Sequence, residues 1–513
     1  MKGIKSLSNS RTKNATLNIV FAVLLQVVTF FRGLILPRII IPAYGSDVNG
    51  LISSITQFLA YISLLEAGVG SIFRTSLYKP LANGDMYGVS GIINEQKRFY
   101  RKIGVAFVFY VIALCFIYPL IAKTDIDKFY IITCILILSI STFSEYFFSL
   151  PYVSLLSADQ KIRISHIVSI VYTLANIAVS LFWVSLKADI RLIYLSMCLL
   201  GLLRPLFYTL YVKRHYALNK KVACNKAALN QRWNGMVHHL AYYIHMNTDS
   251  AILTIFIGTV MVSVYNVYGA VIFGIMNLVI SISNGVAAGL GNLLTTGDNA
   301  SIQRTVNLFE FVQGGMATVL YTVTAILIIP FVRVYTVDML DANYIQPLFG
   351  YALILAEVIY CFRFIYSTIS MNANKYKETQ LGAILECLTN FILSLVLVLV
   401  FDMGILGVAI GTLVAVLLRY FYDVWFLSKN IINRPMIKAF KMLFISSLIS
   451  VWSIALCKWI FNYDSINSFV HWIIMAIPTA LITLLTAIII YGIFYKDAIK
   501  TLFNKITIKR IRR

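Results

Sequence analysis

Residues 48–78 read VNGLISSITQFLAYISLLEAGVGSIFRTSLY, a stretch long and apolar enough to cross a membrane that nevertheless carries Glu66 and Arg74. A charge facing lipid costs at least about 2.5–3.5 kcal/mol on an insertion scale, so such residues are kept where they face a bundle interior or a hydrated cavity. The stretch therefore predicts an all-α, polytopic membrane protein whose helices surround something polar. The rest of the chain agrees. Of 513 residues, 59% are hydrophobic and 12% charged, against roughly half and a quarter in soluble domains. Apolar runs recur from residue 14 to residue 495, and each can supply the ~20 residues that a crossing needs. About fourteen spans are expected, at 14–41, 48–78, 102–122, 129–158, 161–186, 189–213, 236–258, 262–294, 305–333, 343–373, 378–402, 405–428, 437–461 and 468–495. Span one contains "RGLILPR" and span two "EAGVG", each a soft spot in a helix.

The formal charge is +22, and its placement decides what it means. Numbering alternate loops as one side puts 31 Lys and Arg there and 7 on the other, with 5 inside spans. This asymmetry predicts that both termini are cytoplasmic. The basic tail ending in "KRIRR" then reads as a topology signal in contact with anionic membrane lipid, and no nucleic-acid partner is expected. The first apolar run is too long for a cleavable signal and lacks a small-residue cleavage site. Seven cysteines without a CxxC or paired spacing indicate neither a disulfide framework nor a zinc site. No segment is large enough for a separate soluble catalytic domain, so the chain is not expected to be an enzyme.

The longest basic loop divides the spans. The expected organisation is an N-terminal lobe at 1–218 with spans one to six, a basic cytoplasmic loop at 219–235, a C-terminal lobe at 236–428 with spans seven to twelve, and spans thirteen and fourteen with a basic tail at 429–513. Duplicated helix bundles around a central site are a common transporter plan.

Ionisable residues within spans are candidates for function: Arg32, Glu66, Arg74, Glu145, Arg204, Asp249, Glu310, Glu357, Arg363 and Glu386. Glu66 and Arg74 are eight residues apart, ~80° around a helix and ~12 Å along it, so their partners come from elsewhere. Glu66 lines a cavity or pairs with a buried Arg such as Arg32. Arg74 lines the same cavity or snorkels to the nearby interface. On span seven, "MVHHLAYYIHMNTDSAIL" places His238, Tyr242, His245 and Asp249 within ~60° of one another, a polar stripe from one end to mid-membrane. The HxxxH spacing of a zinc pair is absent. On span eleven, Glu386 and Asn390 share a face at i,i+4, and Thr412 follows on span twelve. Asp249, Asn390 and Thr412 all fall ~18–20 Å from the basic end. Such oxygens could hold a small hard cation, or three helices could pack through small polar residues.

At the level of whole segments, "YGSDVNGLISSITQFLAYISLLEAGVGSIFRTSLYKPLA" resembles the span-two region of bacterial polysaccharide repeat-unit flippases, and "MNTDSAILTIFIG…VSVYNVYGAV" resembles their span-seven to span-eight region. These proteins belong to the multidrug, oligosaccharidyl-lipid and polysaccharide (MOP, MATE-like) superfamily. The resemblance implies two pseudo-symmetric six-helix lobes around a cavity and alternating access in a bacterial cytoplasmic (inner) membrane. The implied substrate is an oligosaccharide repeat unit linked to undecaprenyl diphosphate, moved from the inner to the outer leaflet for surface polysaccharide biosynthesis. A polysaccharide polymerase is the partner protein that this role implies. By position, Arg32 and Arg74 match cavity arginines of related lipid II flippases, and Asp249, Glu386, Asn390 and Thr412 match their cation site, which binds sodium. On span eleven the order here is Glu then Asn, the reverse of the family's.

The expected cavity set is thus Arg32, Glu66, Arg74, Glu145, Arg204 and Arg363 facing the diphosphate, with His238, Tyr242 and His245 lining an approach. Asp249, Glu386, Asn390 and Thr412 are the expected coupling residues, with sodium at Asp249, Asn390 and Thr412. No cofactor is expected beyond a coupling ion, sodium or proton. The alternative from the same residues is a cation-coupled multidrug antiporter, for which the acids would bind an amphipathic cation. A membrane-embedded glycosyltransferase would need catalytic acids on large external loops. The richest loop here, "YTVDMLDANYIQ", has Asp338 and Asp341 and no surrounding domain.

Overall fold

A computed structural model describes residues 2–66, 69–219, 222, 236–296 and 299–496. It is all-α, with no strand among the described residues. In chain order the helices are α1 Lys2–Tyr44, α2 Ser46–Ala60, α3 Val69–Ala82, α4 Met86–Ile121, α5 Lys128–Ser144, α6 Leu150–Ala158, α7 Arg163–Ser185, α8 Ile190–Gly201 and α9 Leu203–His215. They continue as α10 Met236–Ile252, α11 Thr259–Thr296, α12 Asn299–Tyr335, α13 Pro347–Asn372, α14 Gln380–Leu399, α15 Gly404–Asn430, α16 Ile437–Ile460 and α17 Phe469–Phe494. Among the described residues, thirteen helices, some assembled across short breaks, are long and apolar enough to cross a membrane. The remaining expected span, 236–258, is present as the 17-residue α10 prolonged by a π-turn at Leu253–Ile257. This is a multi-pass membrane protein, and its exposed apolar side chains, such as Ile473, Ile477, Leu481 and Ile488 of α17, are those that lipid would cover.

Span three begins sixteen residues before the expected 102. Hydropathy marks where a helix enters lipid, but the helix itself starts at its cap: the Asp85 carboxylate accepts from the Gly88 amide at 2.8 Å. Val89, Ile92 and Ile93 then recur at helical spacing and pack with Phe73, Leu77, Leu155 and Leu156. The 36 residues of α4 extend ~54 Å, well beyond the ~30 Å of hydrocarbon. Asp127, Asp189 and Ser468 cap α5, α8 and α17 in the same way. Arg191 forks Asp189 and, through those hydrogen bonds, holds its carboxyl below the usual Asp range.

By contacts the chain forms two compact units, Met1–Asn266 and Val267–Arg513. This boundary lies inside α11, whereas the expected one lay at the basic loop 219–235, of which only residues 219 and 222 are described. The reason is local: the π-turn that ends span seven and the start of α11 hydrogen-bond to α2 and to the end of α4, as detailed below. The basic tail beyond Lys496 lies outside the described residues.

In the first unit, four spans are interrupted. Span two breaks after α2 into a 3-10 turn at Tyr61–Leu65 before α3 resumes. Span four contains a π-turn at Glu145–Ser149 followed by Pro151, span six is divided at Leu202, and span seven ends in its π-turn. Within the second unit, α12 to α17 are each continuous. There α13, α14 and α15 pack together, and α12 packs on α13, α16 and α17. Hydroxyl pairs join the last group, Thr322 with Ser450 at 2.7 Å and Tyr491 with Ser446 at 2.9 Å, a usual way to bond helices in lipid.

Candidate functional site

In the first unit Glu66, Glu145 and Arg204 sit at or beside helix interruptions. Glu66 follows the 3-10 turn and is partly exposed, and the Tyr100 hydroxyl donates to its Oε1 at 2.6 Å. A Cβ on Gly70 would overlap that oxygen and come 3.0 Å from the Tyr100 hydroxyl, so the glycine makes room for the pair. Glu145 opens the π-turn of span four, and Arg204 stands two residues past the break in span six. Arg204 Nη2 lies 3.6 Å from Glu145 Oε1, with 22% and 44% of the two side chains exposed, and its guanidinium lies over the Tyr172 ring. At 3.6 Å and part-exposed, the pair is a loose one. Arg74 is exposed and Arg32 partly so; neither forms an ion pair among the described residues, and Nε of Arg32 is buried without a hydrogen-bond partner. Arginines 32 and 74 are therefore the two of the expected cavity set whose charge is not already matched by a described carboxylate.

The stripe on span seven falls on a regular helix, as its spacing requires. His238, His245 and Asp249 are buried, whereas Tyr242 is 46% exposed and its neighbour Tyr243 turns inward. The Tyr243 ring lies 5.3 Å from that of Tyr61, and the Tyr61 hydroxyl donates to the Asn247 carbonyl at 3.4 Å. Tyr265 donates to Asp249 Oδ2 at 3.0 Å. No group of three or more His, Cys, Asp or Glu residues suited to a metal ion occurs among the described residues.

A polar cluster joins α2 to the π-turn that ends span seven and to the start of α11. Asn49 Nδ2 donates to Ser263 Oγ at 2.8 Å, Ser54 pairs with Thr254 at 2.6 Å, and Thr259 donates to Asp47. Tyr118 of α4 adds a bond to Ser54 at 2.8 Å, and the Lys123 amide reaches the Thr254 carbonyl at 3.0 Å. Gly50 permits the approach, since a Cβ there would overlap the Thr259 carbonyl. The signal was present as "VNG" followed by closely spaced serines, without anything to say what they would face.

The second unit treats its charges differently. Arg363 is 7% exposed, with Nη1 3.2 Å from Glu386 Oε2 and 4.0 Å from Asp423 Oδ2. Arg419 Nε lies 2.9 Å from Asp423 Oδ1, and Ser367 donates to the other oxygen of that carboxylate. Two expected site residues are thus committed to one another: Arg363 to Glu386, within a buried network of two guanidiniums and two carboxylates across α13, α14 and α15. Arg419 and Asp423 were not among the candidates, although an Arg and an Asp at i,i+4 are legible on one helix face. Asn390 Nδ2 donates to Thr412 Oγ1 at 2.8 Å, bringing those two expected residues together, and Asn390 Oδ1 is buried with no donor. An unmatched buried carbonyl oxygen fits a hard monovalent cation in donor type. Asp249 belongs to the first unit and this pair to the second.

No protein-family model and no curated protein matches the chain. Solved structures do. The lipid II flippase MurJ in an inward closed conformation is similar with a TM-score of 0.69 at 15% identity, over 94% of this chain and 100% of that one. An inward-facing multidrug resistance MATE family transporter gives 0.61 at 14%, over 79% and 94%, and a eukaryotic MATE transporter 0.56 at 14%, over 84% and 98%. The inward-facing multidrug transporter is described as one of the MOP superfamily. The chain has the all-helical fold of the MOP superfamily.

Proposed function

We propose that the protein is a flippase for a lipid-linked, phosphate-bearing sugar, and specifically that it moves undecaprenyl-diphosphate-linked oligosaccharide repeat units from the inner to the outer leaflet of a bacterial cytoplasmic membrane, by alternating access, for surface polysaccharide biosynthesis. One observation carries the reading: a fold matched over nearly the whole chain by a lipid II flippase, in a first unit where Arg32 and Arg74 stand without an acidic partner among the described residues. Guanidinium forks suit phosphate oxygens and keep their charge inside a membrane. Arg204 and Arg363 each face a carboxylate within their own unit, so neither offers the unmatched charge that Arg32 and Arg74 offer.

The second reading, a cation-coupled multidrug antiporter, draws on the partly exposed Glu66 and Glu145 and on the MATE neighbours. The sign of the ligand separates the two. Purified protein should bind an undecaprenyl-diphosphate sugar in preference to a lipophilic cation, and Arg32→Ala and Arg74→Ala should each weaken the first. Binding of the cation alone, undiminished by either variant, would favour the antiporter.

Movement needs a bias between conformations, and an ion supplies one when it binds one state better than another. The chain has no P-loop sequence, so a cation gradient is the simplest source. A sodium ion would draw on the Asn390 carbonyl and Thr412 hydroxyl oxygens; Asp249 is the carboxylate of the first unit that can take a cation or a proton. In reconstituted vesicles Asp249→Asn should remove the dependence of transport on an imposed sodium or proton gradient while lipid-linked sugar still binds. Unchanged gradient dependence would leave Asp249 as packing.

A further inference from the structure

Where α12, α16 and α17 come together in the second unit, a cavity of about 630 Å³ is lined by Arg304, Asn307, Glu310, Arg434, Lys438, Lys441, Phe494, Tyr495 and Lys496. Five cations face one carboxylate. That carboxylate is spent on the floor: Arg434 forks Glu310, Nη2 to Oε2 at 2.5 Å and Nη1 to Oε1, with the residues 6% and 4% exposed. Nε of Arg434 remains buried without a partner. Above this floor Arg304, Lys438, Lys441 and Lys496 are exposed, and none forms an ion pair among the described residues. The Lys441 ammonium stands 5.8 Å from both the Phe494 and Tyr495 ring centroids, which holds one charge over the bowl. Four unmatched cations around one concavity repel one another and concentrate anions.

Position narrows the anion. The bowl sits at the first turns of α16 and the last residues of α17, the depth of a lipid headgroup. Phe494 lines the bowl, and close to its lysines along the same two helices Ile437, Phe444 and Ile493 are exposed apolar side chains, by 69, 64 and 62% against 46% for Phe494. It also lies at the end of the spans that the charge asymmetry assigns to the inner, anionic leaflet. We propose that this bowl binds the phosphate group of an anionic membrane lipid, headgroup among Lys438, Lys441, Lys496 and Arg304, chains along α16 and α17. The shared chemistry is a phosphate or diphosphate, and the neighbouring exposed apolar side chains argue for one carried on a lipid over one free in water. The inference does not depend on what the protein transports.

The test is lipid retention by the full-length protein. Native mass spectrometry after release from nanodiscs of phosphatidylglycerol and phosphatidylcholine should show a bound phosphatidylglycerol on the wild type. Lys438→Gln, Lys441→Gln and Lys496→Gln together should weaken it by about a hundredfold, each lysine near a membrane surface contributing about a factor of five. The corresponding triple Lys→Arg variant should retain the lipid, and Lys128→Gln with Lys458→Gln, exposed lysines elsewhere, should behave as wild type. Equal retention by the Gln variant overturns the proposal. Loss in both triple variants also overturns it, because charge alone would then not be the determinant. In a third arm, inorganic pyrophosphate at millimolar concentration should not displace the lipid; displacement, or tight pyrophosphate binding in lipid-free detergent that the Gln variant loses, would make the site one for free phosphates and overturn the lipid assignment.

Discussion

Asp249 aside, which is buried on a regular helix, the two units hold their intramembrane carboxylates differently. In the first, Glu66, Glu145 and Arg204 stand at or beside breaks in spans two, four and six, and their side chains are part-exposed. In the second, Arg363, Glu386, Arg419, Asp423, Glu310 and Arg434 lie on or between unbroken helices and are buried in closed pairs. A break frees backbone hydrogen bonds and lets a helix bend, and π-turns concentrate at functional positions for that reason. A closed buried pair does the reverse: removing one partner leaves an uncompensated charge, so the helices it joins stay joined. The difference teaches that the same residue types, spread along similar apolar helices, divide into part-exposed charges at helix breaks and buried charges in closed pairs.

Stability measurements on matched variants can break this contrast. The largest effect should come from Glu310→Gln, which strands Arg434 on the cavity floor; a loss of about 3–5 kcal/mol is expected, seen as a collapsed melting temperature or yield and partly restored by adding Arg434→Gln. Next is Gly70→Ala, whose methyl must push Glu66 off Tyr100. A cost of about 1–3 kcal/mol is expected for the overpacking, with transport lost at the same time. Glu66→Gln keeps the shape and a hydrogen-bonding oxygen for Tyr100, so it should cost about 1 kcal/mol or less while transport falls strongly. Failure of this variant to accumulate would make Glu66 structural. The smallest effect belongs to Glu145→Gln, which loosens a 3.6 Å half-exposed pair worth about 0–1 kcal/mol. If Glu145→Gln proved as damaging to stability as Glu310→Gln, the contrast between the units would fail.

Much of this was legible in the sequence, and the losses have physical causes. Hydropathy locates the spans because every lipid-facing residue pays the same solvent. It misplaces the start of α4 because a capped helix running out of the membrane keeps its hydrogen bonds whether or not lipid surrounds it. The described break in span two, at Tyr61–Leu65, falls just before the soft spot expected at "EAGVG", of which residues 67 and 68 lie outside the described residues. The π-turns at Glu145 and Leu253 had no such mark, since one inserted residue changes no composition. Glu386 and Arg363 were both read as site residues, but which helix faces meet is a tertiary fact, and that fact turns them into each other's partners. Arg419 and Asp423, by contrast, could have been paired from their spacing alone.

The central claim is that the first unit's open charges act on an anionic, lipid-borne substrate. It is tested most directly by following a fluorescent undecaprenyl-diphosphate oligosaccharide across proteoliposome membranes containing wild type, Arg32→Ala or Arg74→Ala, each verified as folded by its melting temperature. The account predicts that both variants insert and melt like wild type and flip little or nothing, with Lys at either position restoring only part of the rate. Flipping at the wild-type rate by both Ala variants would contradict it.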